Sequence, residues 1–154
     1  MSVRGQPRPP ERPRDRLGRP LPWGRASEIT LENYAALSLE ENHSLAVAHF
    51  NAGRFFQAHE AWEEAWRKAE ATADEEFFKG LAQLGAAYTH YARGNAHGAR
   101  VLLERALERI GTRGSSHFGI EVEKISGAFN DQRRMFAKAE KDGSPLPTII
   151  QPEL

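Results

Sequence analysis

Residues 50–67 read Phe50-Asn51-Ala52-Gly53-Arg54-Phe55-Phe56-Gln57-Ala58-His59-Glu60-Ala61-Trp62-Glu63-Glu64-Ala65-Trp66-Arg67. The apolar positions after Gly53 recur at helical spacing. At about 100° per residue, Phe55, Trp62 and Trp66 fall within roughly 60° of His59, and Glu63 lies about 40° to its other side, one turn further on. An imidazole and a carboxylate therefore share the face that a helix normally buries. Buried polar groups need partners, so this helix carries either a hydrogen-bonded pair or the lining of a site. By the same geometry Glu60 and Glu64 point away, roughly 100° and 140° from His59.

Outward from this stretch, helix signals continue on both sides, without an alternating strand pattern or an Asn-Gly hairpin signal. Ser38 with Glu41 forms a capping-box start for a helix running to about Ala52, and Gly53 breaks it. The helix of the opening stretch runs from Arg54 to about Glu70. Thr72 with Glu75 starts a third that reaches Arg93, and Phe77, Phe78, Leu81, Leu84, Tyr88 and Tyr91 with small residues make it apolar almost all round. Such a helix is central. Gly80 and Gly85 each sacrifice up to about 1 kcal/mol of helix propensity, which points to a neighbouring backbone coming close. Gly94 ends this helix. Asn95 caps a fourth, which Gly111 ends, and a fifth runs from about Ile120 to Lys141. Gly143 and the prolines Pro145, Pro147 and Pro152 leave an extended tail.

The predicted fold is all-α: about five helices, arranged as two antiparallel helical hairpins plus a C-terminal helix. The hairpin pairs, about 44–70 and 74–110, overlay with Gly53 on Gly94 and resemble tetratricopeptide hairpins. Their offset of 41 residues exceeds that family's period of about 34, so the likeness is architectural.

The 154 residues fit one domain, and 40% hydrophobic content suffices for a modest core. With no cysteine, disulfides, thiolate metal sites and cysteine nucleophiles are excluded. No apolar run has membrane-spanning length and the first residues lack a signal-peptide core, so the expected address is cytoplasmic, with no membrane partner. The zero formal charge divides unevenly. Seven arginines against Glu11 and Asp15 leave residues 1–25 at +5 and the remainder at −5, and six prolines fall in the first 22 residues. Residues 1–28 thus form a basic tail, expected to be disordered, whose sharpest reading is a nucleic-acid contact. Residues 29–154 form a single helical domain.

The opening motif, Phe50-Asn51-x-Gly53-x-Phe55-x-x-Ala58-His59-Glu60-x-x-Glu63-x-x-Trp66-Arg67, resembles the bacterial, archaeal and plastid family catalogued as a domain of unknown function, family 309. Phe78-x-Gly80-Leu81-x-Gln83-Leu84-x-Ala86-Ala87 with Arg93-Gly94-Asn95-x-x-Gly98-Ala99 resembles its second block, and Phe118-Gly119-Ile120-Glu121-Val122 its third. The resemblance covers about residues 45–150 and implies a small all-helical bundle without an assigned biochemical role. Trp62 stands where the family often has an aliphatic residue.

On the third helix Gln83 and His90, seven apart, share a face. The economical arrangement joins them to the second helix, with His59 and Glu63 meeting Gln83 and His90 and with Phe55 and Trp66 closing the pocket. The bland reading is a hydrogen-bond network that fixes helix register. The sharper one is a divalent metal held by His59, Glu63 and His90. No other cofactor is indicated. Acid–base catalysis would use His59 with Glu63 orienting it. Without a phosphate loop, nucleotide fingerprint or nucleophile elbow, the leading expectation is a small interaction or structural module with a His/Glu/Trp pocket and a protein partner. The alternative is a metal-dependent or histidine acid–base enzyme using His59 and Glu63. The segment Ser115-Ser116-His117 reads as a flexible loop, and His43 and His49 receive no role.

Overall fold

The structure, a computed structural model, describes residues 11–112 and 117–154. It divides into two units, Met1–Thr30 and Leu31–Leu154. Residues 1–10 of the expected disordered tail, and Ser115 and Ser116 of the expected loop, lie outside the described residues.

The described part of the first unit contains turns with their own hydrogen bonds. Asp15 Oδ1 accepts from the main-chain N–H groups of Leu17 and Arg19, both at 2.9 Å, and its other oxygen pairs with Arg19 Nε at 2.9 Å. Leu21 N–H donates to Pro13 O at 2.7 Å, and Glu28 N–H to Arg14 O at 2.7 Å. One aspartate side chain thus satisfies two backbone donors. The prolines also leave the unfolded chain less entropy to lose.

The second unit contains α1 (Leu39–Asn51), α2 (Phe55–Lys68), α3 (Glu75–Ala92), α4 (Ala96–Gly111) and α5 (Val122–Asp142), preceded by a single 3-10 turn at Tyr34–Ala36. Among the described residues there is no strand, and the all-α expectation holds. No helix of the described residues is long and apolar enough to cross a membrane. Both bonds of the Ser38–Glu41 capping box form, at 3.1 and 3.2 Å. Asn95 Oδ1 accepts from Gly98 N–H at 3.0 Å and starts α4 as expected. Thr72 does not cap α3. Its hydroxyl donates to Ala69 O at 2.6 Å and accepts from the N–H of Asp74 at 3.2 Å, and α3 begins after Asp74. That hydroxyl serves the end of α2, where unpaired carbonyls also need donors.

Each helix packs on the next in sequence, so the α1/α2 and α3/α4 pairs stack through α2 and α3, and α5 lies against α4. The overlaid turn glycines Gly53 and Gly94 have nearly the same left-handed φ, +78° and +77°. That conformation is cheap only without a side chain. The core is aromatic at its centre: Phe50, Trp62, Phe77, Phe78, Tyr88, Phe129 and Phe136 are all fully buried. Tyr88 lies edge-on to Phe50 at 5.3 Å and to Phe129 and Phe136 at 5.9 Å, which ties α1 and α5 to α3.

The two α3 glycines mark the expected close approaches. A Cβ on Gly80 would fall 2.9 Å from Arg109 Cβ, and one on Gly85 would fall 2.8 Å from both Cα and N of His59. The second obstacle is backbone and cannot turn aside. Gly85→Ala should therefore lower unfolding free energy in urea titration by roughly 1–3 kcal/mol, because overpacking outweighs the propensity gain. Gly127→Ala is the control. That α5 glycine is exposed with nothing within 4 Å of an added Cβ, so this change should stabilise by roughly 0.5–1 kcal/mol.

Candidate functional site

His59 sits mid-way along α2 with its backbone against Gly85 of α3. The approach brings its ring Nδ1 within 2.8 Å of the Ala82 carbonyl, one turn earlier on α3. A carbonyl can only accept, so Nδ1 carries the proton and Nε2 faces the opposite way. Nε2 lies 3.2 Å from Glu63 Oε2, and these two side chains are 26% and 29% exposed, at the edge of the α2–α3 seam. Glu63 Oε1 pairs with Arg67 Nη2 at 3.0 Å, and Arg67 Nη1 donates to Glu64.

Burial works against a charged imidazole. Here the hydrogen bonds to Glu63 and Ala82 and the charges of Glu63 and Glu60 outweigh it, so the His59 pKa lies above the ordinary histidine value. The His59 hydrogen bond, joined by the charges of His59 and Arg67, prevails over burial at Glu63, whose pKa lies below the usual carboxylate range. Both shifts describe one ion pair and are counted once.

Glu60 belongs to this group as well. One ligand atom from each of His59, Glu60 and Glu63 lies within 4.8 Å of the others, which corrects the expectation that Glu60 points elsewhere. The angle from His59 is wide, but Glu60 and Glu63 are three residues apart, on adjoining turns. A glutamate is long enough to reach back across that interval.

Gln83 and His90, the expected partners of His59, bond elsewhere. Gln83 Oε1 accepts from Arg109 Nε of α4 at 3.0 Å. His90 Nδ1 lies 3.0 Å from Asn95 Nδ2 at the α3–α4 turn, where the tight fit leaves an added Gly98 Cβ only 2.8 Å from the His90 ring. Burial, and then the charges of Arg93 and His59, hold the His90 pKa below the ordinary value. Phe55 joins the aromatic core against Tyr88 and Phe50, at 5.3 and 5.5 Å. Trp66 does lie at the seam. Its ring faces Lys79 Nζ at 5.4 Å, and with Glu63, Arg67, Glu70 and Glu75 it borders an open hollow of about 300 Å³.

Two buried histidines that the sequence reading left without a role are structural anchors. Trp62 Nε1–H donates to His43 Nδ1 at 3.1 Å, so His43 carries its proton on Nε2, which faces the Phe118 carbonyl at 2.8 Å. His49 Nδ1 accepts from Arg54 Nε at 2.8 Å, while its Nε2 faces Glu32 at 3.1 Å. Burial lowers the pKa of both, which favours the neutral ring. Periodicity alone had no way to assign these bonds.

The motif and the His59 contacts lie within a stretch of the chain that a known family matches. Residues 44–102 match the family described as Domain of unknown function (DUF309). The DUF309 match runs from α1 into α4 and contains His59, Glu60, Glu63, Gly85 and Ala82, while the third block at Phe118–Val122 lies beyond it. No curated protein and no solved structure matches the chain.

The pair makes stability depend on pH in a defined direction. A raised histidine pKa contributes stability that is complete below the unfolded value and lost as pH rises through the folded one, whereas a lowered glutamate pKa contributes stability lost as pH falls through its folded value. The contribution is therefore greatest between the ordinary glutamate and histidine values, 4.5 and 6.5. The difference in unfolding free energy between the native chain and His59→Gln should peak near pH 5.5, at about 1 kcal/mol, and shrink by pH 9. Urea titrations at the two pH values measure it, and a difference that grows with pH would contradict the ion pair.

Proposed function

We propose that the chain is a small cytosolic helical module that binds a divalent transition-metal ion at the α2–α3 seam, through His59 Nε2 and the carboxylates of Glu60 and Glu63. One observation carries this reading. His59 donates its Nδ1–H to the Ala82 carbonyl, which aims Nε2 into a group of two carboxylates whose ligand atoms lie within 4.8 Å of it. A histidine that binds a metal typically donates its other ring N–H to a carbonyl or carboxylate, which fixes ring orientation. Metal–ligand bonds of about 2.0–2.2 Å at tetrahedral angles set ligand separations of roughly 3.4 Å, so closure asks for side-chain movement of about 1 Å. One nitrogen and two oxygens suit Zn²⁺ or Mn²⁺. Three protein ligands would leave coordination positions for water or a partner's donor atom, and one of them, Glu63, borders the open hollow beside Trp66.

The ion would take the place of the proton now shared by His59 and Glu63. Metal affinity should accordingly rise with pH through the His59 titration, because the ligand nitrogen must be deprotonated, whereas the proton-bridged pair weakens over the same range. That opposition separates a metal site from a structural clasp.

Elemental analysis of the purified chain should find about one transition-metal ion per molecule, reduced below about one tenth in His59→Ala. Glu60→Gln, which leaves the His59–Glu63 pair in place, should weaken Zn²⁺ or Mn²⁺ binding at least about tenfold in calorimetric titration. If the native chain takes up neither ion while His59→Ala loses stability, the pair is a clasp and the metal reading fails.

A further inference from the structure

After α5 the chain turns at Gly143 and runs extended across the bundle from Ser144 to Leu154. The main-chain groups beyond the turn are held by side chains. Tyr91 of α3 places its hydroxyl oxygen 2.9 Å from Ile149 N–H. Gln132 of α5 donates from Nε2 to Ile150 O at 2.6 Å, and its amide is oriented by the Tyr88 hydroxyl on its other end. Asn51, the last residue of α1, holds both main-chain groups of Leu154, accepting from its N–H at 2.9 Å and donating to its oxygen at 3.0 Å. Three residues on three helices, Tyr91, Gln132 and Asn51, thus form a row of clamps for the backbone of the segment.

Leu146, Ile149 and Leu154 pack on the core from this segment, each only partly buried, and Ile150 between them is 85% exposed. The fully buried anchors of the core all come from outside the segment. The segment also underfills its track. A hollow of about 390 Å³ opens between its end at Pro152–Leu154 and the start of α5, lined by Ile120, Ile125 and Ala128. Another of about 340 Å³ lies beside Pro145–Thr148 against Tyr91 and Ala92.

We propose that this track is a peptide-binding groove, with residues 144–154 as its displaceable resident and an extended segment of a partner protein as its ligand. The ligand has the chemistry of the resident: extended backbone, proline between anchors, and aliphatic side chains at the spacing of Leu146, Ile149 and Leu154. Clamps that read main-chain groups tolerate different side chains, as in other modes of extended-peptide recognition. Room in the two hollows favours a ligand with bulkier anchors than the resident. A tethered resident competes at an effective concentration on the order of millimolar, so the groove is masked until the resident is released.

The test uses the full chain and a fluorescein-labelled synthetic peptide of residues 144–154 as probe. Loosening the resident with Ile149→Ser and Leu154→Ser together should tighten probe binding, read by anisotropy, at least about tenfold over the native chain. Adding Asn51→Ala to the loosened chain should weaken it again by at least about tenfold. In the unmodified chain, the amides of Ile149 and Leu154 should exchange with solvent at least about 100-fold faster than that of Leu84 in α3, because local opening releases them. Equal probe affinity in the native and loosened chains overturns the proposal, as does loss of the helical circular-dichroism signal on loosening. Exchange of the three amides at one rate makes the segment a structural brace. A native chain that sediments as a dimer makes the groove's occupant a second copy.

Discussion

The approach of α3 to α2 at Gly85 and His59 is the contact on which the rest of the seam depends. A side chain on Gly85 would meet the His59 backbone at 2.8 Å, so the two helices are closer there than ordinary side chains allow. Closeness has a chemical consequence. The Ala82 carbonyl has two lone pairs, one for its own helix and one that the imidazole reaches at 2.8 Å. With Nδ1 engaged, Nε2 is aimed along α2 at Glu63. The cost of a glycine inside the central helix is thus offset by a fixed histidine ring, and the seam carries packing and polar chemistry at the same residue.

Periodicity made much of this legible. The five helices, the caps at Ser38 and Asn95, the matched turn glycines and the close approaches at Gly80 and Gly85 all follow from local rules that tertiary structure had no reason to override. Partner choice is where the sequence stopped short. Helical angles place Gln83 and His90 on a shared face without saying which neighbour covers it. Gly80, three residues before Gln83, meets Arg109 and Ile110, which makes that face the α4 side. Gln83 accordingly finds Arg109. Gly85, the residue that meets α2, lies roughly 200° from Gln83 around the helix. Angles also mislead for long side chains, and Glu60 joins His59 and Glu63 although its Cα direction is wrong for it.

The histidines show how strongly placement sets the chemistry of one residue type. His43 accepts from Trp62 and faces a carbonyl, and His49 accepts from Arg54 and faces a carboxylate. Each therefore has one donor and one acceptor as neighbours, which matches a neutral ring with one proton. His59 has acceptors on both sides, a carbonyl and a carboxylate, which matches a ring with two. Burial lowers the pKa at His43 and His49 despite the acceptors beside them, whereas at His59 the bonds to Glu63 and Ala82 and the charges of Glu63 and Glu60 outweigh burial. Of these three rings, His59 is the one whose pKa is raised.

That shift can be followed through the surrounding charges. Glu60 and Glu63 bring two negative charges to the Nε2 side of the ring, and Arg67 engages one oxygen of Glu63 while sharing itself with Glu64. Both carboxylates act on the ring at a half-buried position, where charge interactions are stronger than in bulk water. A proton on Nε2 is favoured by both charges, and a divalent cation in the same place would be favoured for the same reason. Arg67 contributes to either outcome by position. By holding Glu63 Oε1 it turns Oε2 toward the imidazole, so the atom that shares the proton is the atom available to an ion. The aromatic wall at Trp66 and the glycine at 85 do not take part in that exchange. They set how closely the groups can meet.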